Sequence, residues 1–119
     1  MTGKVVVVGS SNIDLIMKME RLPRPGETVT EAEFAQVFGG KGANQAVGAA
    51  RAGGDVAFVS CVGDDAYGGQ VRENLEKDGI DTCFVFPEEG VVTGTALIMI
   101  DEAGENCILV APGANYRLT

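Results

Sequence analysis

Histidine is missing altogether from these 119 residues. Its absence removes the usual general base at neutral pH and the commonest metal ligand. Cysteine offers no substitute. Cys61, Cys83 and Cys107 are odd in number, far apart and without metal-ligand spacing, so neither a zinc site nor a disulfide framework is expected. Cys61 and Cys107 fall in apolar, strand-like runs, where free cysteine behaves as a small hydrophobe. Basic residues are also scarce. Nine Lys and Arg against seventeen Asp and Glu leave a net charge of −8, which argues against nonspecific binding to nucleic acid or an anionic membrane. That charge reads most simply as a solvated surface. No apolar run approaches the length of a membrane span. The run Val5–Val8 behind Lys4 is too short and too β-branched for a signal peptide, and a cytoplasmic location is expected. Internal repeats and low-complexity segments are absent.

What is present indicates one globular domain with a modest core. Its hydrophobic content of 45% excludes disorder. The richest segment is Phe38-Gly39-Gly40-Lys41-Gly42-Ala43-Asn44-Gln45-Ala46, where an extended pattern gives way to an alanine-rich helical one. A helix start leaves its first N–H groups unpaired and directed at whatever lies above them. Lys41 and Asn44 are three apart and are expected to look out on the same side of the first turn. Backbone donors, one cation and one amide form a cup for a hydroxyl-rich or anionic small molecule. The segment is not a phosphate loop, because Gly42 follows Lys41, and no G-x-G-x-x-G spacing exists. Taken alone, it serves equally well as a tight connection.

The rest of the chain reads as a parallel α/β core with an accessory sheet. Lys4 to Gly9 predicts a buried strand, and Ser10-Ser11-Asn12 a polar turn. Ile13 to Met19 alternates as a half-exposed strand. Thr28 to Phe38 returns as extended structure anchored by Phe34 and Phe38. A helix follows with Ala43, Ala46, Val47 and Ala50 at helical spacing, ended by Gly53-Gly54. Val56 to Val62 is a second buried strand. Asp64 or Asp65 caps a second helix bearing Tyr67, Val71 and Leu75 and stopped by Gly79. Phe84 to Phe86 is a short strand halted by Pro87, and Thr93 to Ile100 with Asn106 to Val110 forms a hairpin. Ala111 to Asn115 is a turn, and Thr119 is a candidate helix cap. The strand–helix–strand–helix–strand order implies right-handed parallel crossovers. Ligands bind beyond the C-terminal ends of such strands, which places Asn12 and Asp14 beside the glycine-rich loop.

Several segments, in order, carry a resemblance. They are Ser10-Ser11-Asn12-Ile13-Asp14, Pro25-Gly26-Glu27-Thr28, Gly39 to Ala46, Val62-Gly63-Asp64-Asp65 with Gly68, Thr93-Gly94-Thr95-Ala96, and Gly104-Glu105-Asn106. Together they cover nearly the whole chain and resemble the N-terminal half of the ribokinase-like carbohydrate kinase family. The resemblance implies a partial parallel sheet with flanking helices and a small projecting β lid. Residues 1–119 would be a single sugar-binding part, with lid strands near 13–38 and 91–110. The implied reaction is ATP-dependent phosphorylation of a sugar's primary hydroxyl, D-ribose to ribose 5-phosphate in the complete enzyme.

By the same resemblance, Asn12, Asp14, Gly39, Gly40, Lys41, Gly42 and Asn44 would bind the sugar, and Ala96 and Ile98 would cover it. Asp14 would accept from two ring hydroxyls, since an ionised carboxylate only accepts. Lys41 would hold a hydroxyl or offset phosphate charge. Read without the family, Asp14 and Asn12 serve as turn residues, Lys41 as a solvated lysine and Asn44 as a helix-start residue. The family's catalytic aspartate lies in a G-A-G-D segment that is not in this sequence, and its nucleotide and magnesium motifs are likewise missing. The expectation is therefore no catalytic residue, no metal ligand and no bound cofactor in this chain, with ATP and Mg belonging to the complete enzyme. Phosphoryl transfer depends on such positioning and charge stabilisation, so the chain alone should turn over little. One alternative is a non-catalytic half-domain that self-associates through its lid strands or exposed sheet edge. Another keeps the family but changes the substrate to a different sugar or a nucleoside.

Overall fold

The computed structural model describes residues 3–118. The candidate cap Thr119 lies outside them. Two sheets share the chain. In the first, β1 (Lys4–Val8), β4 (Asp55–Gly63) and β5 (Val85–Glu88) run parallel in the order β1-β4-β5. The crossovers carry α1 (Lys41–Arg51) and α2 (Ala66–Lys77). Both crossovers step the same way across the sheet, so right-handedness puts both helices on one face. The second sheet has the order β3-β2-β6-β7, built from β2 (Asn12–Lys18), β3 (Glu33–Gly39), β6 (Thr95–Ile100) and β7 (Asn106–Ala111). It is the expected accessory sheet, with β2 and β6 parallel at its centre.

The core lies between α1, α2 and β4. Phe58, Val56, Val62, Val71, Leu75 and Val85 are buried there with Ala43 and Ala46 of α1. Small residues on α1 bring helix and sheet close, as the alanine spacing predicts. The lid joins this core at one end only, where Ile13 is fully buried and Leu15 packs on the cluster. Gln36 Nε2 donates to Gln70 Oε1 of α2 at 2.7 Å, on the same face of the lid.

Some expectations need correction. The β1 strand is not buried. Val7 packs on the core, but Val6 and Val8 on the opposite face are 59% and 64% exposed, because both helices cover the other side. Phe34 and Phe38 are not buried anchors either; Phe34 is 59% exposed on an edge strand of the lid. Residues 28–32 form no strand, and β3 begins only at Glu33. Pro87 does not stop β5, which continues to Glu88. An edge strand has one row of N–H groups with no ladder partner and so accommodates proline. Cys61 is buried as expected, whereas Cys107 is exposed on the outer strand β7. The segment after β7 is a 3-10 turn, Gly113–Arg117.

Polar groups tie the crossings between sheets. Asp65 caps α2, accepting from the Gly68 N–H at 2.8 Å. The same carboxylate accepts from the Thr93 N–H at 2.9 Å and the Thr93 hydroxyl at 2.6 Å, and Thr93 Oγ1 in turn accepts from the Gly63 N–H. Burial pushes the Asp65 carboxyl up, but these hydrogen bonds outweigh it and hold it below the usual range. The tightest junction is between backbones. A Cβ on Gly42 would lie 2.7 Å from the Gly9 Cα and 2.8 Å from the Ser10 N. Gly42→Ala should therefore destabilise by about 1–3 kcal/mol, the usual cost of overpacking. Gly48→Ala in the same helix meets nothing within 4 Å and should gain up to about 1 kcal/mol. Denaturant midpoints of the two variants check the contrast, and equal midpoints would remove the contact from the account.

Candidate functional site

The site forms where β1 ends, the lid begins and α1 starts. Gly40 precedes α1 with φ of 95°, and a Cβ there would meet the Ser10 carbonyl at 2.7 Å. This conformation turns the chain from β3 into the helix with its backbone against Ser10-Ser11. The Ala43 N–H donates to the Ser10 carbonyl at 3.0 Å, and the Asn44 N–H to the Gly40 carbonyl at 2.9 Å. The free donors of the first turn therefore shrink to the Lys41 and Gly42 N–H groups among the described residues. Gly42 is buried against Gly9, and Lys41 is exposed with no side-chain partner among the described residues.

Strand register places the rest. Asn12 pairs with Gly39, and Asp14 pairs with Val37 on one side and Ala96 on the other. Residues two apart share a face, so Asn12, Asp14 and Ile16 line one side of the lid, with Ala96 and Ile98 beside Asp14 and Ile16. The next strand adds Val110 opposite Ala96. A Cβ on Gly39 would lie 2.6 Å from Asp14 Oδ2, so the carboxylate sits directly against the loop backbone. Burial pushes the Asp14 carboxyl above its usual range. Among the described residues no cation or hydroxyl offsets that effect, and Asp14 keeps its acceptor capacity for something else.

The structure thus brings together Asn12, Asp14, Gly39, Gly40, Lys41 and Gly42, with Ala96 and Ile98 on the adjoining lid face. Asn44, in the same helical turn as Lys41, also borders a cleft of about 240 Å³ with Phe38, Val47, Arg51 and Asn74. A larger open cleft of about 510 Å³ lies at the far end of the lid among Lys18, Arg21, Glu31, Glu33 and Glu102, and holds none of the expected residues. No three His, Cys, Asp or Glu side chains converge on a metal position among the described residues. These residues do not fit magnesium.

Sequence reasoning missed the groups that hold the cup from behind. Ser11 is fully buried, and its hydroxyl lies 3.2 Å from that of buried Ser60. Asn115, read only as part of a turn, hydrogen-bonds Ser11 and Asn12 from more than a hundred residues away. An asparagine two residues after a glycine in a turn is too ordinary to signal this. Val110 was legible only as an apolar strand residue.

Known proteins resemble this chain closely. The model of the pfkB family carbohydrate kinases matches residues 2–119. Ribokinase of Mus musculus is 47% identical over 114 residues, covering 96% of this chain and 35% of that protein. The structure of Arabidopsis thaliana ribokinase complexed with ribose and ATP superposes with a TM-score of 0.89 at 38% identity, covering 97% of this chain and 38% of that one. A nucleoside kinase of Methanocaldococcus jannaschii, an archaeal member of the ribokinase family, gives a TM-score of 0.84 at 27% identity, over 93% of this chain and 37% of that one. The chain therefore spans little more than a third of the length of these relatives. Order of motifs, fold and extent of match agree, and the chain belongs to the pfkB family of carbohydrate kinases.

Proposed function

We propose that this chain is the sugar-binding and lid part of an ATP-dependent, ribokinase-like carbohydrate kinase, with D-ribose as the sugar. The observation that carries the reading is the Asp14 carboxylate, pressed against Gly39 and in register with Ala96, at the end of β1. It is an unpaired acceptor that burial makes costly, placed where α/β folds bind ligands. In this reading Asp14 accepts from two ring hydroxyls and Asn12 donates to a third oxygen. The Lys41 ammonium and the free N–H groups of the first helical turn face the same ligand. Gly39, Gly40 and Gly42 let the backbone approach it. Ala96 and Ile98 form an apolar cover that excludes water once the lid closes. The part given to Asn44 rests on the family pattern alone. Ribose and ATP in the Arabidopsis relative support the sugar and the phosphoryl donor. In this reading the nucleotide, magnesium and catalytic base belong, by the family resemblance, to the part of the relatives' length that this chain does not cover. Turnover by these 119 residues alone is therefore not expected.

A second reading, self-association, has its own support. Val6 and Val8 on the bare face of β1, and Ile108, Leu109 and Val110 on the edge strand of the lid, are exposed apolar side chains. Such surface favours assembly. Light scattering should give a mass above that of one chain; a monomer at high concentration would sink the reading.

Calorimetric titration with D-ribose should give saturable heat. Asp14→Ala should weaken binding by about a hundredfold or more, because two charge-assisted hydrogen bonds at about 1.5–3 kcal/mol each are lost. No heat from a well-folded sample would overturn the sugar-site assignment. Asp14 also links binding to stability. Its carboxyl is raised in the folded state, so the folded chain holds that proton more tightly than the unfolded chain. Stability then falls as pH rises through the interval between the two values, and the ionised group is a net cost at neutral pH. Asp14→Asn should thus be at least as stable as wild type at pH 7, with the difference closing on acidification, while ribose binding is lost. A lower midpoint for the variant at pH 7 would contradict this.

A further inference from the structure

We propose that Asn115 is a positioning residue that sets which end of the Asn12 amide faces the sugar. The proposal rests on the reading of Asn12 as a sugar ligand and adds the group that orients it.

The argument begins with two groups that cannot turn. The Ser11 N–H only donates, and it donates to Asn115 Oδ1 at 3.0 Å. The Ser11 carbonyl only accepts, and it accepts from Asn115 Nδ2 at 3.1 Å. The backbone of one residue therefore fixes the orientation of the Asn115 amide. Its Nδ2 also donates to Asn12 Oδ1 at 2.8 Å. Both N–H bonds of that nitrogen are now used. A side-chain NH₂ cannot accept from another, so Asn12 must turn its oxygen toward Asn115 and its own NH₂ away from it. The Asn12 NH₂ has no partner among the described residues. It lies on the lid face that carries Asp14, two residues along the strand, roughly 6.5–7 Å at the usual rise.

The consequence is a donor next to an acceptor with the order decided. Without Asn115 the Asn12 amide presents oxygen or nitrogen with equal ease. With Asn115 it presents nitrogen, suited to a ring or hydroxyl oxygen, beside a carboxylate suited to hydroxyl protons. Gly94 belongs to the same arrangement. A Cβ there would collide with both Asn115 Nδ2 and Asn12 Oδ1. The 3-10 turn carrying Asn115 is itself held at the lid crossing, where the Ala114 N–H donates to the Val92 carbonyl at 2.8 Å. The return strand of the lid thereby sets the hydrogen-bonding sense of a residue at its entry.

A purely structural role, clamping Ser11, would leave the sense of Asn12 irrelevant, and the test separates the two. In the ¹⁵N-labelled chain without ligand, the Asn115 side-chain NH₂ should exchange slowly and that of Asn12 fast. D-ribose should slow the latter. Asn12→Ala and Asn115→Ala should each weaken ribose binding about five- to tenfold, the loss of one neutral hydrogen bond. The double variant should be no weaker than Asn12→Ala alone. Asn115→Asp keeps the bond from the Ser11 N–H but turns Asn12 around to donate to the new carboxylate; it should bind ribose as poorly as Asn115→Ala. Additive losses, wild-type affinity in Asn115→Asp, or a protected Asn12 NH₂ in the free chain would overturn the proposal. If Asn115→Ala fails to fold, the exchange pattern of the unaltered chain decides. If the unaltered chain binds no ribose, the sugar reading falls separately, and the placement of Asn12 still stands or falls on that pattern.

Discussion

The structure depends on the close approach of two backbones, Gly9-Ser10-Ser11 leaving β1 and Gly39-Gly40-Lys41-Gly42 entering α1. At that approach there is no room for a side chain on Gly42, and a Cβ on Gly9 would sit 2.9 Å from the Gly42 Cα. One directional bond, Ala43 N–H to Ser10 carbonyl, sets the angle. The contact matters through position more than energy. A backbone hydrogen bond contributes about 0.5–1.5 kcal/mol net. Geometry spreads further: the helix start, the loop and the first lid residues all follow from it. Once α1 begins against Ser10, Gly39 must lie on Asp14, and Asp14 must lie partly out of water.

The two sheets are stabilised by different means. The core sheet buries one face under α1 and α2, with β4 at its centre and nearly all of its side chains shielded. The lid has apolar side chains on both faces, and its apolar contact with the core cluster comes from Ile13 and Leu15. Burial alone therefore does not hold it in place. Its attachment is polar: Asp65 with Thr93, Ser11 with Ser60, and Asn115 with Ser11 and Asn12. Directional bonds at a hinge fix an angle, and an apolar sheet beyond the hinge can then lie over a ligand or against another surface. The same design explains why Asp14 is tolerated. A carboxylate raised by burial opposes folding slightly at neutral pH, and binding sites commonly retain such strain.

Much of this was legible in the residues. The glycine-rich loop, the alanine face of α1, the cap at Asp65 and the hairpin at 101–105 each have a local physical cause, and a local cause can be read from neighbouring letters. Exposure was less legible. Four valines in a row imply burial on both faces, yet Val6 and Val8 are open, because what covers a strand is decided by other segments. Phe34 failed for the same reason. Asn44 was placed near Lys41 by helical spacing, whereas the cleft it borders with Asn74 of α2 comes only from the packing of the two helices.

The sequence by itself determined the family, the order of strands and helices and the chemical types gathered near the loop, because motifs, periodicity and turn residues act over a few positions. Only the tertiary structure decided which of those groups share one face, how far Asp14 is desolvated, which first-turn donors remain free and which way the Asn12 amide points. These depend on strand register and on contacts between residues such as Asn12 and Asn115, more than a hundred positions apart. A long-range hydrogen bond leaves no periodic trace in the chain; it exists only where folding brings a fixed backbone donor and acceptor to meet the right side chain.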